Sequence, residues 1–96
     1  MQYVRSVARR HAYVVAAGGE RFRFYYDRQH ATVLHITLQH HTTPEDAVRT
    51  FFEGTTALWD EAHQRYETVT ETHGIYWTHA HDQSVIIISC FKRGDE

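Results

Sequence analysis

The chain has 96 residues and a formal charge of −2, from 10 Lys and Arg against 12 Asp and Glu, so a general attraction to nucleic acid is not expected. A hydrophobic content of 42% with 23% charged residues is that of a chain able to build a core rather than a disordered segment. Cys90 is the single cysteine, which excludes an internal disulfide and with it a stapled secreted scaffold.

So short a chain is read as one α+β domain spanning 1–96, and association into a homodimer would add to its modest core. No apolar run approaches the roughly 18 residues of a membrane span. The amino-terminal stretch carries Arg5, Arg9 and Arg10 in place of a signal-peptide core, so a cytoplasmic protein without membrane contact is expected.

In chain order, Tyr3 to Ala17 mixes β-branched, aromatic and basic residues without a helical stripe and reads as one long strand, bulged near Arg9-Arg10. Gly18-Gly19 is a two-residue hairpin signal. Glu20 to Asp27 alternates, with Phe22, Phe24 and Tyr26 opposite Arg21, Arg23 and Tyr25. Asp27 to His30 then reads as a polar turn. Ala31 to His40 also alternates and is read as a third strand.

Thr43-Pro44-Glu45-Asp46 is a strong helix start: a hydroxyl to cap, a proline that needs no amide bond, and acids at the positive end of the dipole. The apolar stripe Ala47, Val48, Phe51, Phe52, Leu58, Trp59, Ala62, Tyr66 and Val69 carries this helix to about Tyr66, with a bend expected at Gly54-Thr55-Thr56. Residues 67–73 fit either a frayed turn or a short strand. Ile75 to His81 and Ser84 to Lys92 are strands around a short Asp82-Gln83 turn, and Val85 to Ile88 is apolar on both faces.

The order β-β-β-α-β-β predicts an α+β fold, an antiparallel sheet of about five strands with one long helix packed on one face. That helix is expected to cover Phe22, Phe24, Tyr26, Leu34, Ile36, Leu38, Ile86, Ile88 and Cys90. The opposite face would then hold Arg5, Arg21, Arg23, Tyr25, His35, Trp77, His79, Val85, Ile87 and Phe91, too aromatic to stand wholly in water.

The leading functional expectation is therefore a small non-enzymatic binding domain. It would use Arg5, Arg23, Tyr25, His35, Trp77 and Phe91 to hold a partner protein or a small ligand. The alternative is a metal-independent ribonuclease, resembling toxin-type ribonucleases in size and parts. It would use His35 and His79 as acid and base, Arg21 and Arg23 for the phosphate, and Tyr25 to stack a base. A third expectation uses the nine histidines. His79-Ala80-His81, spaced to point the same way on a strand, would ligate zinc with His35 or His73, no other cofactor being implied. Buried Cys90 is expected to be inert.

Overall fold

The computed structural model describes residues 2–5, 12–30 and 32–94, the first four as backbone only. The elements are β1 (Gln2–Arg5), β2 (Ala12–Ala17), β3 (Glu20–Tyr25), α1 (His35–His40), α2 (Pro44–Glu53), β4 (Thr55–Thr56), β5 (Tyr66–Val69), β6 (His73–His79) and β7 (Val85–Lys92). The strands form one sheet in the order β1-β2-β3-β7-β6-β5-β4, with β4 only two residues long. The class is α+β, but the sheet is mixed: β3 runs parallel to β7, and every other neighbouring pair is antiparallel. Among the described residues no helix is long and apolar enough to cross a membrane.

The first strand of the sequence reading is two strands, β1 and β2, paired antiparallel. The bulge expected at Arg9-Arg10 and the side chain of Arg5 lie outside the described residues. Gly18 and Gly19 turn the chain from β2 into β3 with φ of 58° and 83°. Both angles belong to the primed turns whose twist matches that of a hairpin.

The expected third strand is instead α1, beginning only at His35. Tyr26 bridges back to Leu34, and the Asp27 amide donates to the Val33 carbonyl, so β3 ends in a tight loop. Ile36 on α1 is buried, and Thr42 after the helix donates its hydroxyl to the carbonyls of Ile36 and Cys90. Local alternation favoured a strand, and packing of this short segment against β7 overrides it. His41 closes α1 in the left-handed region, φ 56°.

α2 starts as its sequence dictates. The Thr43 hydroxyl accepts from the Asp46 amide, and the Asp46 carboxylate accepts from the Thr43 amide, a reciprocal cap behind Pro44. The helix is 10 residues long and stops at Gly54 rather than bending and continuing to Tyr66. A side chain at Gly54 would lie 2.7 Å from the Thr50 and Val69 carbonyl oxygens and from the Thr68 methyl. This is the point where the chain presses against its own sheet and turns into β4. Thr55 and Thr56 pair with Val69 and Thr68, and residues 66–69 are a strand. Leu58, assigned to the helical stripe, stands in a loop and is 93% exposed.

α2 lies on β5, β6 and β7, and α1 beside β7 and β3. Between them and the sheet are Val15, Phe22, Phe24, Ile36, Ala47, Val48, Ile75, Trp77, Val85, Ile87 and Cys90. Full burial of each large side chain contributes about 1.5–3 kcal/mol. The edge-to-face contacts Phe22–Phe51 (5.1 Å) and Phe51–Trp77 (5.0 Å) continue into a Tyr66–Trp77 stack at 4.6 Å.

The faces of the last two strands are the reverse of the expectation. Trp77, Val85 and Ile87 are in the core, whereas Ile86 and Ile88 face away. Where both faces of a strand are apolar, alternation does not fix the phase. A register shift beside Trp77 then returns Cys90 to the core.

Candidate functional site: the wedge between β3, α1 and β7

β3 and β7 share only two register pairs, Phe22 with Val85 and Arg23 with Ile86. Beyond them β3 ends, the loop after Tyr26 turns away, and α1 comes up beside β7. The parting strands leave an open-mouthed cavity of about 460 Å³. Its walls are Tyr25, Tyr26, Ile36 and Ile86 to Ile88, and its polar end carries Asp27, Arg28, Gln29, His35 and Gln39.

Asp27 is the centre of that polar end. It is 8% exposed, and its carboxylate is bonded from several sides. Oδ2 accepts from the Gln29 amide at 3.0 Å and lies 3.5 Å from Nδ1 of His30. Oδ1 lies 3.4 Å from Nδ1 of His35 and 3.5 Å from Nε2 of Gln39. The Gln29 amide, followed by His35, Gln39 and His30, holds the carboxyl below the usual carboxylate range although burial opposes this.

Nδ1 is thus the ring nitrogen that His35 turns toward the Asp27 carboxylate. Beside His35, His40 packs edge-on at 6.4 Å, and burial makes His40 harder to protonate than an ordinary imidazole. Arg28 at the mouth is exposed and has no ion-pair partner among the described residues.

Of the residues singled out from the sequence, Tyr25 and His35 line this cavity together. Arg21 and Arg23 do not join them at its polar end. Both reach Asp82 in the β6–β7 turn, at 3.2 Å and 2.6 Å. Hydrogen bonds from Ser84, reinforced by Arg23 and Arg21, keep the Asp82 carboxyl far below the usual range. One carboxylate shared by two guanidiniums leaves one net positive charge at that turn, away from the polar end of the wedge.

His79 is on the same face of the sheet as Trp77, its ring 5.2 Å from the indole, and is not among the residues that line the wedge with His35. Trp77 is not a surface for partners: it is buried in the core and donates Nε1 to the Thr68 hydroxyl at 2.8 Å. Phe91 does face away from the helices, packed on Tyr76 at 5.3 Å, and Arg65 lies over the Tyr76 ring at 3.7 Å.

The strand spacing of His79 and His81 fails as a metal argument because β6 ends at His79 and His81 sits in the following turn. His73, its suggested companion, bonds Thr72 and lies 3.9 Å from Asp46. Among the described residues no group of three or more His, Cys, Asp or Glu side chains is placed to hold a metal ion. Burial pushes the Cys90 thiol up to about 11.

Sequence reasoning missed Asp27, Arg28, Gln39 and the lining role of Ile86 and Ile88. The available signal was Asp27 itself, an acid closing an apolar-alternating strand and followed within eight residues by His30 and His35. No family model, curated protein or solved structure matches the chain.

Proposed function

We propose that the protein is a binding domain for a small organic anion, taken up by its apolar body into the wedge between β3, α1 and β7. The observation that carries this reading is the composition of the cavity. Four aliphatic and two aromatic side chains line its walls, while an arginine with no ion-pair partner among the described residues and a histidine stand at its polar end beside Asp27. Its volume of about 460 Å³ is in the range of small-molecule sites, which are mostly apolar with a few placed polar groups. Tyr25 supplies a ring for stacking, Ile86 and Ile88 the apolar contact, Arg28 the counter-charge for a carboxylate or phosphate, and His35 a hydrogen-bonding group beside it.

The test is thermal denaturation with benzoate, indole carboxylate, uridine monophosphate and adenosine monophosphate. A ligand that binds the native state alone raises the melting temperature in proportion to ln(1 + [L]/Kd). At least one of these anions is expected to raise it, and Arg28→Ala to abolish the rise while leaving the ligand-free melting temperature in place. No rise with any of the four, or an equal rise in Arg28→Ala, would contradict the reading.

A further inference from the structure

The cavity runs along the edges of two strands rather than over one face of the sheet. Ile86, Ile87 and Ile88 all line it, although successive side chains of a strand point to opposite faces. Which main-chain groups stand on those edges follows from the pairing.

The Ala80 amide donates to the Ser84 carbonyl at 2.8 Å across the β6–β7 turn. Ser84 and Ile86 therefore bond toward β6, and Val85 and Ile87 turn their N–H and C=O toward β3. On the other strand, Ala17 and Glu20 close a two-residue hairpin, so Arg21, Arg23 and Tyr25 turn theirs away from β2 and toward β7. The parallel pairs Phe22 with Val85 and Arg23 with Ile86 engage the Arg23 amide with the Val85 carbonyl and the Ile87 amide with the Arg23 carbonyl.

The next bond of this ladder would join the Tyr25 amide to the Ile87 carbonyl, and the pairing stops short of it. Among the described residues no loop amide or carbonyl takes the place of either partner. The strands part here for a local reason. Tyr76 pairs with Ser89 and Trp77 with Ile87, which leaves Ile88 as an extra residue in β7, and such a bulge bends its strand. One donor on β3 and one acceptor on β7 thus face each other across the fork, and both residues line the cavity.

We infer that the wedge takes an N-acylated amino acid, the chemistry that a free acyl amino acid shares with the carboxyl end of a peptide. This rests on the reading of the wedge as a site for a small organic anion and names the class of anion. A trans amide directs its C=O and N–H to opposite sides. Set between the strands, it accepts from the Tyr25 amide and donates to the Ile87 carbonyl, as an inserted strand does. Its carboxylate, one carbon beyond the amide nitrogen, is directed to the polar end, where Arg28 is exposed. The Asp27 carboxylate is nearly buried and already engaged by the Gln29 amide, His35 and Gln39. Ile86 and Ile88 form the wall for the side chain, which favours an aliphatic or aromatic amino acid.

The test titrates tyrosine-labelled protein, followed by amide NMR, with N-acetyl-leucine, isocaproate and N-acetyl-N-methyl-leucine. Isocaproate keeps the carboxylate and the aliphatic body without the amide, and the methylated compound lacks the N–H. N-acetyl-leucine is expected to bind at least about tenfold more tightly than isocaproate, the factor that two added hydrogen bonds supply. The methylated compound should bind less tightly than N-acetyl-leucine. With N-acetyl-leucine the Tyr25 amide signal should move downfield and exchange more slowly with solvent, and with isocaproate it should do neither. Tighter binding of the tripeptide Ala-Ala-Leu than of N-acetyl-leucine would assign the site to peptide ends, and the reverse order to free acyl amino acids; both support the inference.

Equal affinity for N-acetyl-leucine and isocaproate, or binding of N-acetyl-leucine with the Tyr25 amide unmoved, overturns the inference and leaves the anion site standing. Binding of none of these compounds overturns the inference, and the separate trial of aromatic and nucleotide anions then decides whether the anion site stands.

Discussion

Two halves of the molecule solve the same packing problem differently. Over β5, β6 and the middle of β7, the strands are antiparallel and α2 closes them with a reciprocal cap and a run of ring contacts. The polar atoms there are taken up internally: the Trp77 indole donates to Thr68, whose hydroxyl also meets that of Thr56 at 2.7 Å. At the other side β3 and β7 run parallel for two residues and part, and the short α1 does not fill the space. The polar groups of that side are bonded to one another around Asp27, at the mouth of a cavity. The closed half accounts for stability, and the parted half is where a ligand has room.

The comparison is sharpened most by Phe22→Ala. Phe22 is fully buried and meets both Phe51 and Phe52, so its truncation removes the ring that ties β3 to α2. The expected cost is about 3–5 kcal/mol. For a domain of this size that amounts to a fall of roughly 10 °C or more in melting temperature, measured by circular dichroism.

Thr43→Ala comes next. It deletes the acceptor for the Asp46 amide at the start of α2, at a cost of about 0.5–2 kcal/mol, read from the urea midpoint. A negligible effect of both substitutions would break the division between a stabilising and a binding half.

How much of this was legible follows from where local chemistry decides the structure. The Gly18-Gly19 hairpin and the Thr43 cap are written in residues that have few alternatives, and both stand where the sequence puts them. α1 was not legible because Ala31 to His40 alternates like a strand, and only its placement against β7 makes it a helix. The end of α2 depends on how closely Gly54 approaches Val69, a contact between residues 15 apart that no pattern of residue types announces.

The site was half legible. Tyr25 and His35 were chosen for their chemistry and meet in the cavity, whereas Trp77 and His79 were placed on the wrong face by an ambiguous phase. Asp27 looked like a turn residue because its burial arises from a loop folding back on α1.

The most direct measurement uses the isoleucines. Ile36, Ile86, Ile87 and Ile88 line the wedge, and the remaining one of the five, Ile75, lies buried in the closed half. In a methyl NMR titration of isoleucine-labelled protein with uridine monophosphate, the four wedge methyl signals are expected to shift together and saturate while Ile75 stays in place. Shifts at Ile75 as large as at the others, or four wedge signals that do not move at any concentration, would contradict the account.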